Sequence, residues 1–99
     1  MTIHNTPPER IAALHAVRDR HLGLAASAQR DRLLDALQTC GHITTFEGSR
    51  FLDLYDPRAR AMELRRQGHR ILTTWRDVPT ESGERHRIGV YALLKGATQ

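Results

Sequence analysis

Six histidines, one cysteine and eleven acidic residues are the groups in this 99-residue chain that could hold a metal or move a proton. Cys40 and His42 stand two apart, and His69 and His86 could meet if their segments fold together. No histidine lies three or four residues from another, however, and Cys40 has no second cysteine beside it. Metal sites are built from three or four ligands at such spacings, so this pattern predicts neither a metal nor a cofactor. Ser49 and Asp53 are one helical turn apart with no base between them, which leaves no nucleophilic triad. Gly83 and Gly89 are isolated, which leaves no glycine-rich phosphate loop. The expectation is a non-enzyme.

The remaining chemistry is that of arginine. Fourteen of the fifteen basic residues are arginine, whose planar fork of donors grips phosphates and guanine edges two bonds at a time. Residues 57–87 hold Arg58, Arg60, Arg65, Arg66, Arg70, Arg76, Arg85 and Arg87 against Glu63, Asp77, Glu81 and Glu84, while the rest of the chain balances at seven and seven. The whole net charge of +4 therefore belongs to one third of the sequence. Composition alone leaves two readings open, a polyanion-binding surface and a solvated face that is merely basic.

The element that must carry half of these arginines runs from Asp56 to Gly68. Asp56 can cap the first turn, Pro57 suits the first helical position, and Gly68 supplies the left-handed residue that ends a helix. Pro57, Ala61 and Leu64 make a narrow apolar stripe for a core. Ala59, Met62, Glu63 and Arg66 fall on the opposite side, with Arg58 and Arg65 on one flank and Arg60 on the other. A thin-backed helix with an arginine-rich front suits a DNA groove.

Ninety-nine residues make one domain. The lone cysteine, the lack of an apolar leader and the absence of any apolar run near the about 20 residues of a membrane helix point to a soluble, reduced, cytoplasmic protein. Residues 1–6 read as a frayed end. A helix is expected from Glu9 to Leu22, with Ile11, Leu14, Val17 and Leu22 on one side and Arg18 intruding on that stripe. So thin an apolar face could pack on the main domain, pair with a second copy, or stay disordered alone. Ser27 can cap a core helix that runs to about Cys40 with Leu33, Leu34, Leu37 and Cys40 inward and Gly41 at its end. His42-Ile43 is a short extended link. Thr44 and Glu47 have the spacing of a capping box, opening a helix that carries Phe51 and Leu52 inward and stops near Asp53. Arg70–Arg76 and Ile88–Leu93 favour strands, and the polar link Asp77–Glu84 makes them an antiparallel hairpin with a long tip. Trp75 and Tyr91 could be stacking platforms for single-stranded nucleic acid, but on adjoining strands they read better as core or cross-strand packing.

Gln29-Arg30, Leu33-Leu34 and Leu37, then Gly41-His-Ile-Thr-Thr with Glu47, Leu52, Leu54 and Pro57, then Ala59-Arg60, Glu63-Leu64-Arg65 and Gly68-His69 with Ile71, and finally Trp75, Arg87, Tyr91 and Leu93 together resemble the small winged helix-turn-helix domains common in bacteriophages, prophages and their hosts. The likeness covers about residues 28–94. Asp53 stands where the family usually has Gly in the turn, which Asp tolerates because it can adopt the left-handed conformation, and Gly48 replaces the usual Ala. The resemblance implies an α+β fold, three helices followed by a β-hairpin wing. Here it is preceded by an N-terminal extension, residues 1–27, with one extra helix, and followed by a tail, 95–99. It also implies sequence-specific duplex DNA binding, with helix 56–67 in the major groove. The candidate DNA contacts are Arg58, Ala59, Arg60, Met62, Arg65 and Arg66 on the helix and Arg76, Arg85, His86 and Arg87 on the wing, although Glu63 at i+3 can hold Arg60 back. A phage or prophage transcription regulator is the expected role. Residues 9–22 are expected to add a homodimer contact through Ile11, Leu14 and Val17. The alternative is a module that docks proteins on the same winged helix.

Overall fold

A computed structural model of the chain describes residues 6–94; the expectations for residues 1–5 and for the tail at 95–99 fall outside them. Four helices, α1 (Pro8–Arg20), α2 (Ala26–Cys40), α3 (Thr45–Phe51) and α4 (Pro57–Arg66), are joined by strands β1 (His42–Thr44), β2 (Ile71–Pro79) and β3 (Arg85–Leu93) in an α+β fold. The strands form one antiparallel sheet in the order β1-β3-β2. The expected link at His42-Ile43 is thus a third strand, with Ile43 opposite Tyr91.

The helix ends follow local chemistry. The capping box opens α3, with the Glu47 N–H donating to Thr44 Oγ1 at 3.0 Å and the Thr44 N–H to Glu47 Oε1 at 3.1 Å. The Ala59 N–H donates to Asp56 Oδ1 at 3.2 Å, which caps α4. At its other end the His69 N–H reaches back to the Leu64 carbonyl at 3.0 Å while Gly68 takes a φ of 103°, the arrangement that left-handed glycine makes possible. Ser27 is not a cap. Helix α2 starts two residues earlier, with Ala25 in the cap position and no side-chain cap.

Between α3 and α4 the chain turns on Asp53, whose φ of 56° makes it the one non-glycine residue with positive φ among the described residues. This agrees with the left-handed conformation expected of it. Gly48 matters by its lack of a side chain, since a Cβ there would stand 3.2 Å from Leu54 Cδ1 and 3.6 Å from Pro57 Cγ. The start of α4 can therefore lie directly on α3.

Helix α1 is not an appendage. Leu14 and Val17 are fully buried in the same core as Leu33, Leu37, Ile43, Leu52, Ala61, Leu64 and Tyr91, and Ile11 packs against it. The apolar stripe expected to pair two chains is consumed inside one, so Ile11, Leu14 and Val17 are not free to form a dimer seam. Leu22, assigned to the same stripe, lies beyond the helix and is exposed. Polar clamps fix the packing. Arg10 donates from Nε to Glu47 Oε2 at 2.9 Å and from Nη2 to Glu47 Oε1 and the His42 carbonyl. At the far end Asp35 of α2 takes Arg20 and His21. Burial would raise the Glu47 carboxyl, but the Arg10 guanidinium and the Thr44 N–H outweigh it and hold it below the ordinary value of 4.5.

Two outcomes follow. A chain beginning at Ser27 should lose cooperative unfolding in urea, and Leu14→Ala should cost about 2–5 kcal/mol, a large part of the about 5–15 kcal/mol a domain has. If the shortened chain unfolds with an unchanged midpoint, α1 lies outside the folding unit. Because the folded pKa of Glu47 is depressed, its contribution is full above about pH 4.5 and is lost as pH falls through the lower folded value. Urea midpoints from pH 7 to 3 should therefore fall less steeply for Glu47→Gln than for the parent; parallel curves would remove Glu47 from the acid response.

Candidate nucleic-acid interface

Helix α4 carries three sets of side chains at helical spacing. Ala61 and Leu64 are buried against the core. On the α2 side, Arg60 clasps Glu63 with two bonds, Nε to Oε1 at 2.8 Å and Nη2 to Oε2 at 2.9 Å, and Glu63 also takes Arg30 of α2 at 3.0 Å. These two arginines hold the Glu63 carboxyl below its usual range. Arg60 is therefore withdrawn from the DNA contacts assigned to it. The third set faces outward or toward the hairpin and comprises Arg58, Ala59, Met62, Arg65 and Arg66.

Within this set the structure separates Arg65 from the rest. Its Nε donates to the Ile71 carbonyl at 2.8 Å and its Nη2 to Thr73 Oγ1 at 2.7 Å. It is a clip between α4 and β2, with two of its three nitrogens engaged. Arg58 and Arg66 are exposed and form no hydrogen bond or ion pair among the described residues.

Strand alternation sorts the wing in the same way. Trp75, opposite Gly89, and Arg87, opposite Asp77, share the face that continues outward from Ile71, Tyr91 and Leu93, and Arg85 joins them. Arg76 and His86 point to the other face, beside the outward Leu72 and Thr74. The four wing residues therefore do not act as one surface: Arg85 and Arg87 look toward the helix side, Arg76 and His86 away from it. The expected Trp75–Tyr91 pair is also undone by register. Tyr91 lies opposite Thr73 and is buried, whereas Trp75 is 57% exposed with the Arg87 guanidinium 5.0 Å from its ring centroid.

An open groove of about 880 Å³ runs between these two surfaces. Arg58, Ala59, Met62 and Arg65 form one wall, Trp75 and Arg87 the other, and Tyr91 closes the floor. Burial pushes the Tyr91 phenol above its usual value, against the pull of Arg65 and Arg58. Thr45, Ser49 and Tyr55 also line the groove, and none of them was expected there. Tyr55 is placed by Gln29, whose Oε1 accepts from the Tyr55 N–H at 3.1 Å while its Nε2 donates to the Leu24 carbonyl at 2.9 Å. Its position next to the Asp56 cap was the available signal. The candidate metal ligands are not brought together: among the described residues no three of His, Cys, Asp and Glu form a cluster.

Compared with known families, residues 28–96 match the model of the winged helix-turn-helix domain. The chain belongs to this family. No curated protein and no solved structure matches it. In the family's terms α3, the Asp53 turn and α4 make the helix-turn-helix, and β2 and β3 make the wing. Helix α1 lies outside the matched span although it shares the core. Among the described residues no helix is long and apolar enough to cross a membrane.

The division of the winged helix arginines is testable by stability alone. Arg65→Ala should lower the urea unfolding free energy by about 1–2 kcal/mol through its two lost bonds, while Arg58→Ala and Arg66→Ala should stay within about 0.5 kcal/mol of the parent. Equal effects at all three positions would show that Arg65 is not a clip.

Proposed function

We propose that the chain is a non-enzymatic, sequence-specific duplex DNA-binding protein that inserts α4 into the major groove and rests its wing on the adjoining backbone. The observation that carries this reading is the common groove: Arg58 from the helix and Arg87 from the wing line it together, and neither is paired with an acid. An α-helix fits the major groove, where Arg58 and Arg66 can read guanine O6 and N7 and Ala59 and Met62 can meet a thymine methyl. Arg85 and Arg87 share one strand face and can follow phosphates, contacts that position without specifying. The likeness of residues 28–94 to domains of bacteriophages and prophages supports a phage or prophage transcription regulator acting in the cytoplasm.

Two measurements decide it. Mobility shifts across a salt series should give a slope of log K against log salt of about −4 if four to five phosphates are neutralised. The ratio of specific to random affinity, on a site selected from a random duplex pool, should fall for Arg58→Ala and Arg66→Ala by the about 1–3 kcal/mol of a base contact. Arg85→Ala and Arg87→Ala should weaken both affinities alike. No binding at low salt would leave the winged helix as a protein-docking module, and a ratio that collapses only in the wing variants would make the hairpin the reading element.

A further inference from the structure

The groove holds more aromatic surface than a paired duplex can use. The chain has five aromatic residues of the Phe, Trp and Tyr types. Phe46 and Phe51 pack edge to face, and Tyr91 is buried. The two that remain exposed, Trp75 at 57% and Tyr55 at 67%, line the same groove. They come from different elements, one from β2 and one from the turn before α4, and Met62, also exposed, lies on the same lining. Among the described residues, half of the six large exposed apolar side chains thus collect at one concave site.

The local construction keeps the indole presented. Gly89, its cross-strand partner, has no side chain, and a Cβ there would lie 3.6 Å from Trp75 Cζ3 and 3.3 Å from Thr45 Cγ2. The indole can therefore rest close against the sheet, its edge over Gly89, with the Arg87 guanidinium 5.0 Å from its ring centroid. A paired duplex shows base edges in its grooves and covers its ring faces by stacking. An unpaired base offers the bare ring face that a flat aromatic or guanidinium surface binds.

From this juxtaposition we infer that the groove between α4 and the wing receives an unpaired nucleobase, so that the preferred ligand is DNA with a single-stranded tail or bulge beside the duplex. The inference deepens the DNA-binding reading and rests on it. Stacking one base changes affinity by about 5- to 150-fold.

Trp75 is the chain's single tryptophan, so its fluorescence reports on the groove alone. The full chain is titrated with a blunt 20-base-pair duplex, with the same duplex carrying a ten-nucleotide thymidine tail, and with the tail strand alone. Expected are tighter binding of the tailed duplex by at least about fivefold and quenching of Trp75 by the tailed but not the blunt duplex. Anisotropy of labelled DNA should then show W75A binding the tailed and blunt duplexes alike, W75F keeping part of the preference, and Y55A reducing it, each with the parent's circular dichroism. Equal affinity for tailed and blunt duplexes, with Trp75 unquenched by both, overturns the unpaired-base site and leaves duplex binding intact. A full preference surviving in W75A also overturns it. No binding to any of the three probes overturns both readings together.

Discussion

A guanidinium buried without a carboxylate holds the helix-turn-helix to the rest of the molecule. Arg32 of α2 is 2% exposed, and its acceptors are backbone carbonyls: Nη1 donates to His21 at 2.6 Å and to Gly23 at 2.9 Å, and Nη2 donates to Asp53 at 3.1 Å. Its Nε, also buried, finds no partner among the described residues. Burying a charge this way is costly unless its donors are satisfied, and three carbonyl dipoles meet most of that demand. What the arrangement secures is geometry. One side chain binds the α1–α2 connection and the carbonyl of the left-handed residue between α3 and α4, so the turn that leads into α4 is tied to the connection that follows α1.

The second clamp works from the other side of α3. Glu47 closes its own capping box and receives Arg10 from α1, with Thr6 donating to Oε2 at 3.1 Å. A carboxylate used twice makes the start of α3 depend on α1, just as Arg32 makes its end depend on the connection that follows α1. Gln29 repeats the pattern beside them, bridging Leu24 and the backbone of Tyr55. These three polar side chains, all largely buried, explain why the helix outside the family span is nevertheless part of the folding unit.

What was legible in the residues divides along the range of the interaction. Local chemistry was mostly readable: the Thr44–Glu47 capping box, the Asp56 cap, the Pro57 start, the Gly68 stop, the Asp53 turn and the Arg60–Glu63 pair all act within a few residues and stand as expected, the cap assigned to Ser27 being the exception. Contacts that depend on tertiary partners were not. A stripe as thin as that of α1 has the same pattern whether it meets another chain or its own core, and nothing near Arg32 or Arg10 in sequence names the carbonyl or carboxylate each one finds. Trp75 shows the limit most clearly. Its alternation with Ile71 and Thr73 assigns it to the inner face of the hairpin, but the alternation does not say where along the strand the core ends, and Trp75 lies beyond that point. The hairpin's strands also extend to Pro79 and back from Arg85, because the polar residues assigned to a long tip can pair through their backbones whatever their side chains prefer.

Counting arginines by position therefore overstates the wing and understates the groove. Arg60 and Arg65, both counted as basic surface, are engaged by Glu63 and by β2, and Glu81 and Glu84 stand in the hairpin tip beside Arg85. Along the wing, Asp77, Glu81 and Glu84 offset Arg76, Arg85 and Arg87, so the tip repels phosphate about as much as it attracts it. Arg58 and Arg66, on the exposed side of α4, are held by no ion pair among the described residues. On the inner face of the wing the Arg87 guanidinium lies 5.0 Å from the Trp75 ring centroid. Unpaired arginine and exposed aromatic surface thus meet in the groove rather than at the hairpin tip, and the Arg65 clip, which ties α4 to β2, holds the two walls of that groove together.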